Sequence, residues 1–366
     1  MKFICTQENL KKGLGVVSSL AGKNQTLPIL KNVLLEVKNN ILILSTTNLE
    51  MGVKSIVRGK SDGEGSLSVP AKLLYDFIAN INTDKVELTQ EGVNLHIKTD
   101  NSQTTIKGVD PTEFPLIPTV EKEKEFLLNP IDFKQAISLV IFAVAFDNTR
   151  PEISGVLFNW QKDKLILAAT DSYRLAEKKL ILNGEGDDFQ VIIPAFTLQE
   201  INRILGELKD SQELKIYFNQ NQVLFEIDST SLVSRLIEGE YPDYQQVIPT
   251  ESKTTIQADR KELIKAIKVA SFFCRQGIND VNLKIKENTL TIQALNDQVG
   301  ENKTSVEIEK KGDDNEIVFN YHYILDGLNA ISTDKVELGI NSGSLPGILK
   351  PIGDDSYIYI IMPIKQ

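Results

Sequence analysis

Two histidines, two cysteines, one Gly-Lys-Ser step and three aspartate pairs are the residues of this 366-residue chain whose types suit chemistry. A catalytic histidine needs a nucleophile or a second ligand within reach. His96 falls in a strand pattern and His322 in a helical one, and neither lies near a cysteine or a nucleophile motif. Gly59-Lys60-Ser61 has the ending of a phosphate-binding loop, but Lys54 stands where such a loop requires its first glycine. The backbone nest that would cradle a phosphate is therefore missing. Asp187-Asp188, Asp313-Asp314 and Asp354-Asp355 each follow a glycine. Paired carboxylates can hold a hard cation, yet beside glycine they read better as solvated turn residues. Cys5 and Cys274 suggest no disulfide framework and fit a reducing compartment. The reading is a chain without catalysis, metal or cofactor.

Basic residues on helical patterns are the remaining candidates. Arg260, Lys261, Lys265, Lys268 and Arg275 stand against Asp259 and Glu262, and Lys11, Lys12 and Lys23 stand against Glu8. Lys72, Lys134 and Arg203 lie on or beside other helical stretches. One such face alone is usually just solvated. If the basic faces shared one surface, it could track phosphates without reading bases.

The elements carrying these residues recur. Asn32–Asn48 returns as Gly155–Asp171 and more faintly as Val281–Asn296, each an alternating run, a polar turn and a second alternating run. Each is a hairpin, and the period of about 125 residues suits a whole domain rather than a solenoid repeat. Each repeat opens with an amphipathic helix: Leu10, Leu14 and Val17; Phe133, Ile137 and Val140; Leu263, Ile267 and Ala270. A second helix follows, with Leu74, Phe77 and Ile81 matching Leu198, Ile201 and Leu205, and Ile324, Leu325, Leu328 and Ile331 in repeat three. Pro70 and Pro194 precede two of these helices, and Asn320 is placed to cap the third. Thr83–Leu88 recurs letter for letter as Thr333–Leu338, with Ser211–Ile216 as their relative. Six helices and an α+β class follow, with domains expected at 1–120, 121–250 and 251–366. Segments rich in proline and charge, Phe114–Lys124 and Tyr241–Ser252, close the first two.

Composition agrees. Hydrophobic content of 41% and charged content of 25% are those of a globular protein. Fifty acids against 40 bases give a net charge of -10, which argues against adhesion by bulk charge. The N-terminal residues show no apolar signal core, and no apolar run approaches the roughly 18 residues of a membrane span. A cytoplasmic protein with no membrane partner is expected.

Thr26–Leu30, Thr47–Glu50, Thr170-Asp171 with Arg174-Leu175, Pro242–Tyr244 and Met362-Pro363 carry a resemblance running the length of the chain. With the triplication, they make it similar to the bacterial DNA polymerase III beta subunit family, the replication sliding clamps. The resemblance implies a DNA clamp fold in which one chain is half of a ring, closed by a head-to-tail homodimer around double-stranded DNA. It implies sheets on the outer wall and helices around the hole, with Lys12, Lys23, Lys72, Arg150, Arg203, Lys265 and Lys268 facing DNA irrespective of sequence. It implies a groove for short peptide motifs of the DNA polymerase III alpha subunit, the clamp loader, other polymerases and repair proteins. Carried over, that groove comprises Ile153, Thr170, Ser172, Tyr173, Arg174, Leu175, Pro242, Val247, Pro346, Ile360, Ile361, Met362, Pro363 and Ile364. Ser172 and Tyr173 stand where the family often has glycine and histidine, and Gln246 where arginine is common. The dimer contact would pair Phe272 and Phe273 with Thr104 and Ile106 of another copy, Thr104 replacing a larger apolar residue. A repeat-built peptide-binding scaffold without DNA encirclement is the alternative.

Overall fold

The computed structural model describes residues 1–22, 27–122, 124–147, 149–182, 188–208 and 213–365. Lys23, Thr26, Asp187 and the start of the 211–216 segment, all singled out above, lie outside the described residues. Six α-helices form among the described residues: α1 Gln7–Ser18, α2 Ala71–Asn80, α3 Pro130–Val140, α4 Ala195–Glu207, α5 Arg260–Ser271 and α6 Tyr321–Ala330. None is long and apolar enough to cross a membrane.

Local chemistry sets these elements. Thr6 caps α1 by accepting from Asn9 N at 3.3 Å. Asp259 caps α5 by accepting from Glu262 N at 2.9 Å, the start of a capping box. The anticipated Asn320 cap forms too, accepting from His322 N at 2.9 Å. The repeated Thr-Asp-Lys segment does the same work twice. Thr83 and Thr333 hydroxyls donate to the Lys85 and Lys335 carbonyls, and Asp84 and Asp334 carbonyls receive the first amides of α1 and α5. All three hairpins form, with positive φ in their turns at Asn39 and Asn40, at Lys162 and at Glu287. Positive φ at both Asn39 and Asn40 is what a two-residue type I′ turn requires, and asparagine tolerates it.

The first helices bury the stripes expected of them: Leu10, Leu14 and Val17; Phe133, Ile137 and Val140; Leu263, Ile267 and Ala270. A fully buried aliphatic side chain contributes about 2 kcal/mol. Helix α2 departs from its reading. Its buried face is Ala71, Leu74 and Ile78, while Phe77 and Ile81 are half-buried. Spacing of three then four from Ala71 keeps one face inward, whereas Ile81 lies past the last turn. In α6, Leu325 is likewise half-buried beside buried Ile324, Leu328 and Ile331.

The chain forms two compact units, residues 1–133 with 196–236 and residues 134–195 with 237–366. The first unit holds a five-stranded sheet, ordered 60–62, 2–6, 85–91, 94–98, 103–107, and an eight-stranded sheet. The eight strands run 124–128, 214–218, 222–227, 230–235, 51–58, 41–47, 32–38, 65–70. Strand Thr230–Arg235 pairs antiparallel with Met51–Arg58, so the first and second repeats share this sheet. The second unit holds a nine-stranded sheet and a four-stranded sheet. In the nine-stranded sheet Arg174–Ile181 pairs with Tyr357–Ile361, fusing the second repeat to the third.

Candidate functional site

In the second unit, Leu175 lies opposite Ile360 and Arg174 opposite Ile361, and Ile348 flanks Ile360 on the other side. Beneath them Ile153, Leu157, Ala168, Leu175, Ile192, Tyr241, Tyr244, Ile348, Ile358 and Ile360 form one buried apolar cluster. Past the strand, Met362 N donates to Tyr173 O at 2.9 Å and Ile364 N to Val318 O at 2.8 Å. The fourteen residues expected to form a groove thus divide by depth. Ile153, Arg174, Leu175, Ile360 and Ile361 are buried, and of these Ile153, Leu175 and Ile360 belong to the cluster. Thr170, Pro242, Pro346, Met362, Pro363 and Ile364 are half-buried, and Ser172, Tyr173 and Val247 are exposed.

The turn between strands 164–170 and 174–181 is held by its own side chains. Thr170 Oγ1 donates to Arg174 O at 2.7 Å, and Asp171 Oδ1 accepts from Tyr173 N and Arg174 N at 2.9 and 3.0 Å. Ser172 sits at φ 75°, where glycine is the unstrained residue. Arg174 is bonded within the chain on several sides. It donates to Asp171 at 2.9 Å, to Asp326 at 2.5 Å and to the Phe142 carbonyl at 2.8 Å, with its guanidinium 4.8 Å from the Tyr323 ring centre. Burial disfavours its charge, but the Tyr359 hydroxyl and the Asp326 and Asp171 carboxylates outweigh that and hold its pKa above the usual arginine value. Tyr173 stacks on Tyr323 at 6.4 Å. Tyr244 donates to Glu177 at 2.7 Å and Tyr241 to the Ala168 carbonyl at 3.3 Å. Burial raises the pKa of both phenols, so they remain donors. Tyr241 and Tyr244 in the cluster, and Phe142, Tyr323 and Asp326 around Arg174, were not named for these contacts from sequence. The three-residue spacing of Tyr323 and Asp326 on α6 is the one local signal that could have found any of them.

Lys12 on α1, Lys72 on α2 and Lys265 and Lys268 on α5 are exposed, with no ion-pair partner among the described residues. The other two described cations expected to face DNA are engaged within the chain. Arg150 donates to Ser172 Oγ and Glu152, each at 3.0 Å. Arg203 on α4 bonds Glu200 and Glu207 and reaches the Gly15 and Val16 carbonyls of α1.

Two sheet edges matter. Gln103–Lys107 ends the five-stranded sheet and Gly300–Glu307 ends the four-stranded one. Ile106 is 3% exposed and belongs to its own core, leaving Thr104 half-buried on the edge. Phe272 is 75% exposed just past α5, and a Cβ added at Gly300 on the other edge would stand 4.0 Å from the Phe273 ring.

Both histidines and two of the paired aspartates have neighbours within the chain. His96 Nδ1 bonds Thr105 Oγ1 at 2.9 Å, and the His322 ring lies 4.0 Å from that of Tyr321. Asp314 takes Lys310 and the Glu287 amide, and Asp354 takes Lys178 at 2.9 Å. Burial pushes the Cys5 thiol up to about 12 and the Cys274 thiol up to about 11, far from a reactive thiolate.

Models of the N-terminal, central and C-terminal domains of the DNA polymerase III beta subunit match residues 1–118, 127–243 and 245–365. A beta sliding clamp of Synechocystis is 32% identical over 388 residues, covering 100% of this chain and 99% of that protein. One of Staphylococcus aureus is 33% identical over 351 residues, 93% of each chain. A solved DNA polymerase III beta subunit of Thermotoga maritima superposes with a TM-score of 0.94 at 28% identity, covering 100% of this chain and 99% of that one. The corresponding Pseudomonas aeruginosa structure gives 0.95 at 27% identity, covering 100% of both.

Proposed function

The chain belongs to the DNA polymerase III beta subunit family, the bacterial sliding clamps, and from that premise we propose that two copies close head to tail around duplex DNA. One observation carries this reading. Wherever two repeats meet within the chain their half-sheets fuse, into the eight-stranded and the nine-stranded sheets, whereas the first and third repeats each keep a half-sheet with a free edge. A second copy can supply the missing half to each, pairing strand 103–107 of one with strand 300–307 of the other. Phe272 beside one edge is an exposed anchor suited to that contact.

The three domains, 1–120, 121–250 and 251–366, become six in such a ring. The exposed lysines of α1, α2 and α5 supply contacts to phosphates that carry no base information, which permits sliding. Lys12, Lys72, Lys265 and Lys268 are the cations we assign to that surface, since Arg150 and Arg203 already have protein partners. The groove over Leu175 and Ile360 takes short motifs of the DNA polymerase III alpha subunit, the clamp loader, other polymerases and repair proteins. Met362 and the half-buried prolines give it an adaptable apolar wall. The protein itself is non-catalytic, acts in the cytoplasm, and makes polymerases processive by topology rather than affinity. The family match does not favour a scaffold that leaves DNA unencircled.

Loading onto nicked circular DNA by the cognate loader with ATP tests this. The protein should survive a high-salt wash on the circle and leave once the circle is cut. Loss in salt before cutting, with an active loader, would replace encirclement by simple phosphate adhesion.

A further inference from the structure

We propose that the first repeat binds a small phosphate monoester in a cavity between α1 and the sheet it shares with the second repeat. The proposal depends neither on ring closure nor on the peptide groove. The cavity, ≈ 210 Å³, lies within the first compact unit. Asn9, Lys12, Gly13 and Val16 of α1 line one side. Their spacing of i, i+3, i+4 and i+7 puts them on one helical face. Ser55 and Val57 of strand 51–58 line the opposite side, with Thr230 of the neighbouring strand. Ser55 and Thr230 stand directly opposite each other in the ladder, so their side chains leave the same face of the sheet. That face looks at α1. A Cβ added at Gly13 would stand 2.7 Å from Val57 Cγ2 and 3.4 Å from Ser55 Oγ, so the glycine keeps the space open.

The lining is built of donors. Ser55 and Thr230 are 3% and 4% exposed, and neither hydroxyl has a hydrogen-bond partner among the described residues. A buried hydroxyl of this kind costs stability unless something in the cavity reaches it. The charged residues in the lining are Lys12 and Arg58, both exposed and both without an ion-pair partner among the described residues. No carboxylate of the described residues lines the cavity, and Asp228 in the adjoining turn already has a partner. Every polar side chain there, Asn9 and Ser229 included, can donate a hydrogen bond. Two cations, three hydroxyls and an amide with no opposing acid suit a phosphate dianion. The next junction shows what the place holds when the chain fills it. Lys178 matches Ser55 and pairs with Tyr357 as Ser55 pairs with Thr230, and Ala136 matches Gly13. Lys178 and Tyr357 are buried, and the ammonium is bonded to Asp354 at 2.9 Å. There the chain supplies both cation and anion, whereas the first repeat supplies cations and free space. At roughly 30 Å³ per water the cavity has room for about seven, enough for a phosphoryl group and a small carrier beside Val16 and Leu208. A phosphate inside a duplex is flanked by sugars on both sides and stays outside.

Titration calorimetry of the full-length protein with ribose 5-phosphate tests this, with ribose and sulfate as comparisons. Ribose 5-phosphate should bind, ribose should not, and sulfate should bind more weakly. Affinity for ribose 5-phosphate should fall about tenfold in Lys12→Met, and by a similar factor in Ser55→Ala combined with Thr230→Val. The double variant keeps the size and shape of the floor, and thermal melting verifies that it folds. Lys265→Met removes an exposed cation from another helix and should leave this affinity unchanged. Lys12 is also among the cations assigned to the DNA surface, so a short duplex at equal phosphate concentration separates the two uses: it should not displace the ligand. Absence of binding, unchanged affinity in the double variant or an equal loss in Lys265→Met would each overturn the proposal. So would displacement by the duplex, which would return the cavity to the DNA surface, or equal affinity for sulfate, which would make it a site for an adventitious ion only.

Discussion

Arg203 directs hydrogens from all three of its nitrogens inward: to Glu200 at 2.9 and 2.6 Å, to Glu207 at 2.5 Å and to the Gly15 and Val16 carbonyls at the end of α1. Glu200 is 2% exposed and also receives the Ser19 hydroxyl, so the arginine neutralises a carboxylate that water does not reach. Lys265 has the same formal charge and lies on the surface of α5. Removing one partner of a buried pair costs about 3 kcal/mol or more, while surface substitutions usually stay within about 0.5 kcal/mol. Arg203→Met should therefore lower the urea midpoint strongly at an unchanged m-value, and Lys265→Met should not. Equal midpoints for the two variants would remove the bracket role from Arg203. Sequence shows a residue's charge but not its partner, which is why the internal bonds of Arg203, Arg150 and Arg174 were not legible beforehand. Ser172 is a similar case: its departure from glycine was legible, while the positive φ that makes glycine the unstrained choice was not.

The C-terminal segment combines two elements with different work. Tyr357–Ile361 is an interior strand, paired on one side with Arg174–Lys178 and on the other with Gly347–Leu349. Residues 362–365 continue as a half-buried to exposed tail, tied by the Met362 and Ile364 amides. Truncation after Ile361 should keep the nine-stranded sheet and weaken a peptide from the DNA polymerase III alpha subunit by at least about tenfold. Calorimetry and circular dichroism on the same sample check both halves of that expectation. Unchanged affinity would take the tail out of the groove. Starting the deletion at Ile360 is a different experiment. It removes two fully buried side chains, each costing about 2–5 kcal/mol even when only truncated, and unpairs the strand. The hairpins and first helices were legible because alternation and helical spacing are local signals. Helix α2 shows where that stops: Ile78 and Ile81 are equally apolar, and only the docked orientation makes Ile78 the buried one.

Across the whole chain, the long-range pairings were the least legible feature, because nothing local tells one repeat's strand that it will extend another's sheet. The triplication was plain, yet the compact units divide the second repeat between them. That division follows from the sheets: strands 214–235 join the first repeat's ladder, and strands 155–194 join the third's. The consequence is an unmatched half-sheet at each end of the series, with edges at Gln103–Lys107 and Gly300–Glu307. The resemblance pointed to the first edge through Thr104 and Ile106, whereas the charged and polar residues of the second edge drew no reading from sequence. With Ile106 turned into its own core, the proposed contact would draw its side-chain energy mainly from the other side, where Phe272 is 75% exposed. A buried aromatic anchor at an interface centre is worth about 2 kcal/mol or more, roughly a 30-fold change in dissociation constant. Phe272→Ala with Phe273→Ala should raise the dimer dissociation constant by at least that factor in sedimentation velocity. Both residues lie past the last turn of α5 rather than in its buried face, so secondary structure should be preserved. If the double variant sediments as the parent does at every concentration, backbone pairing alone closes the ring and the aromatic anchor is wrong. If it becomes monomeric while still binding the polymerase peptide, the groove is complete within one chain and closure is a separate property of the edges.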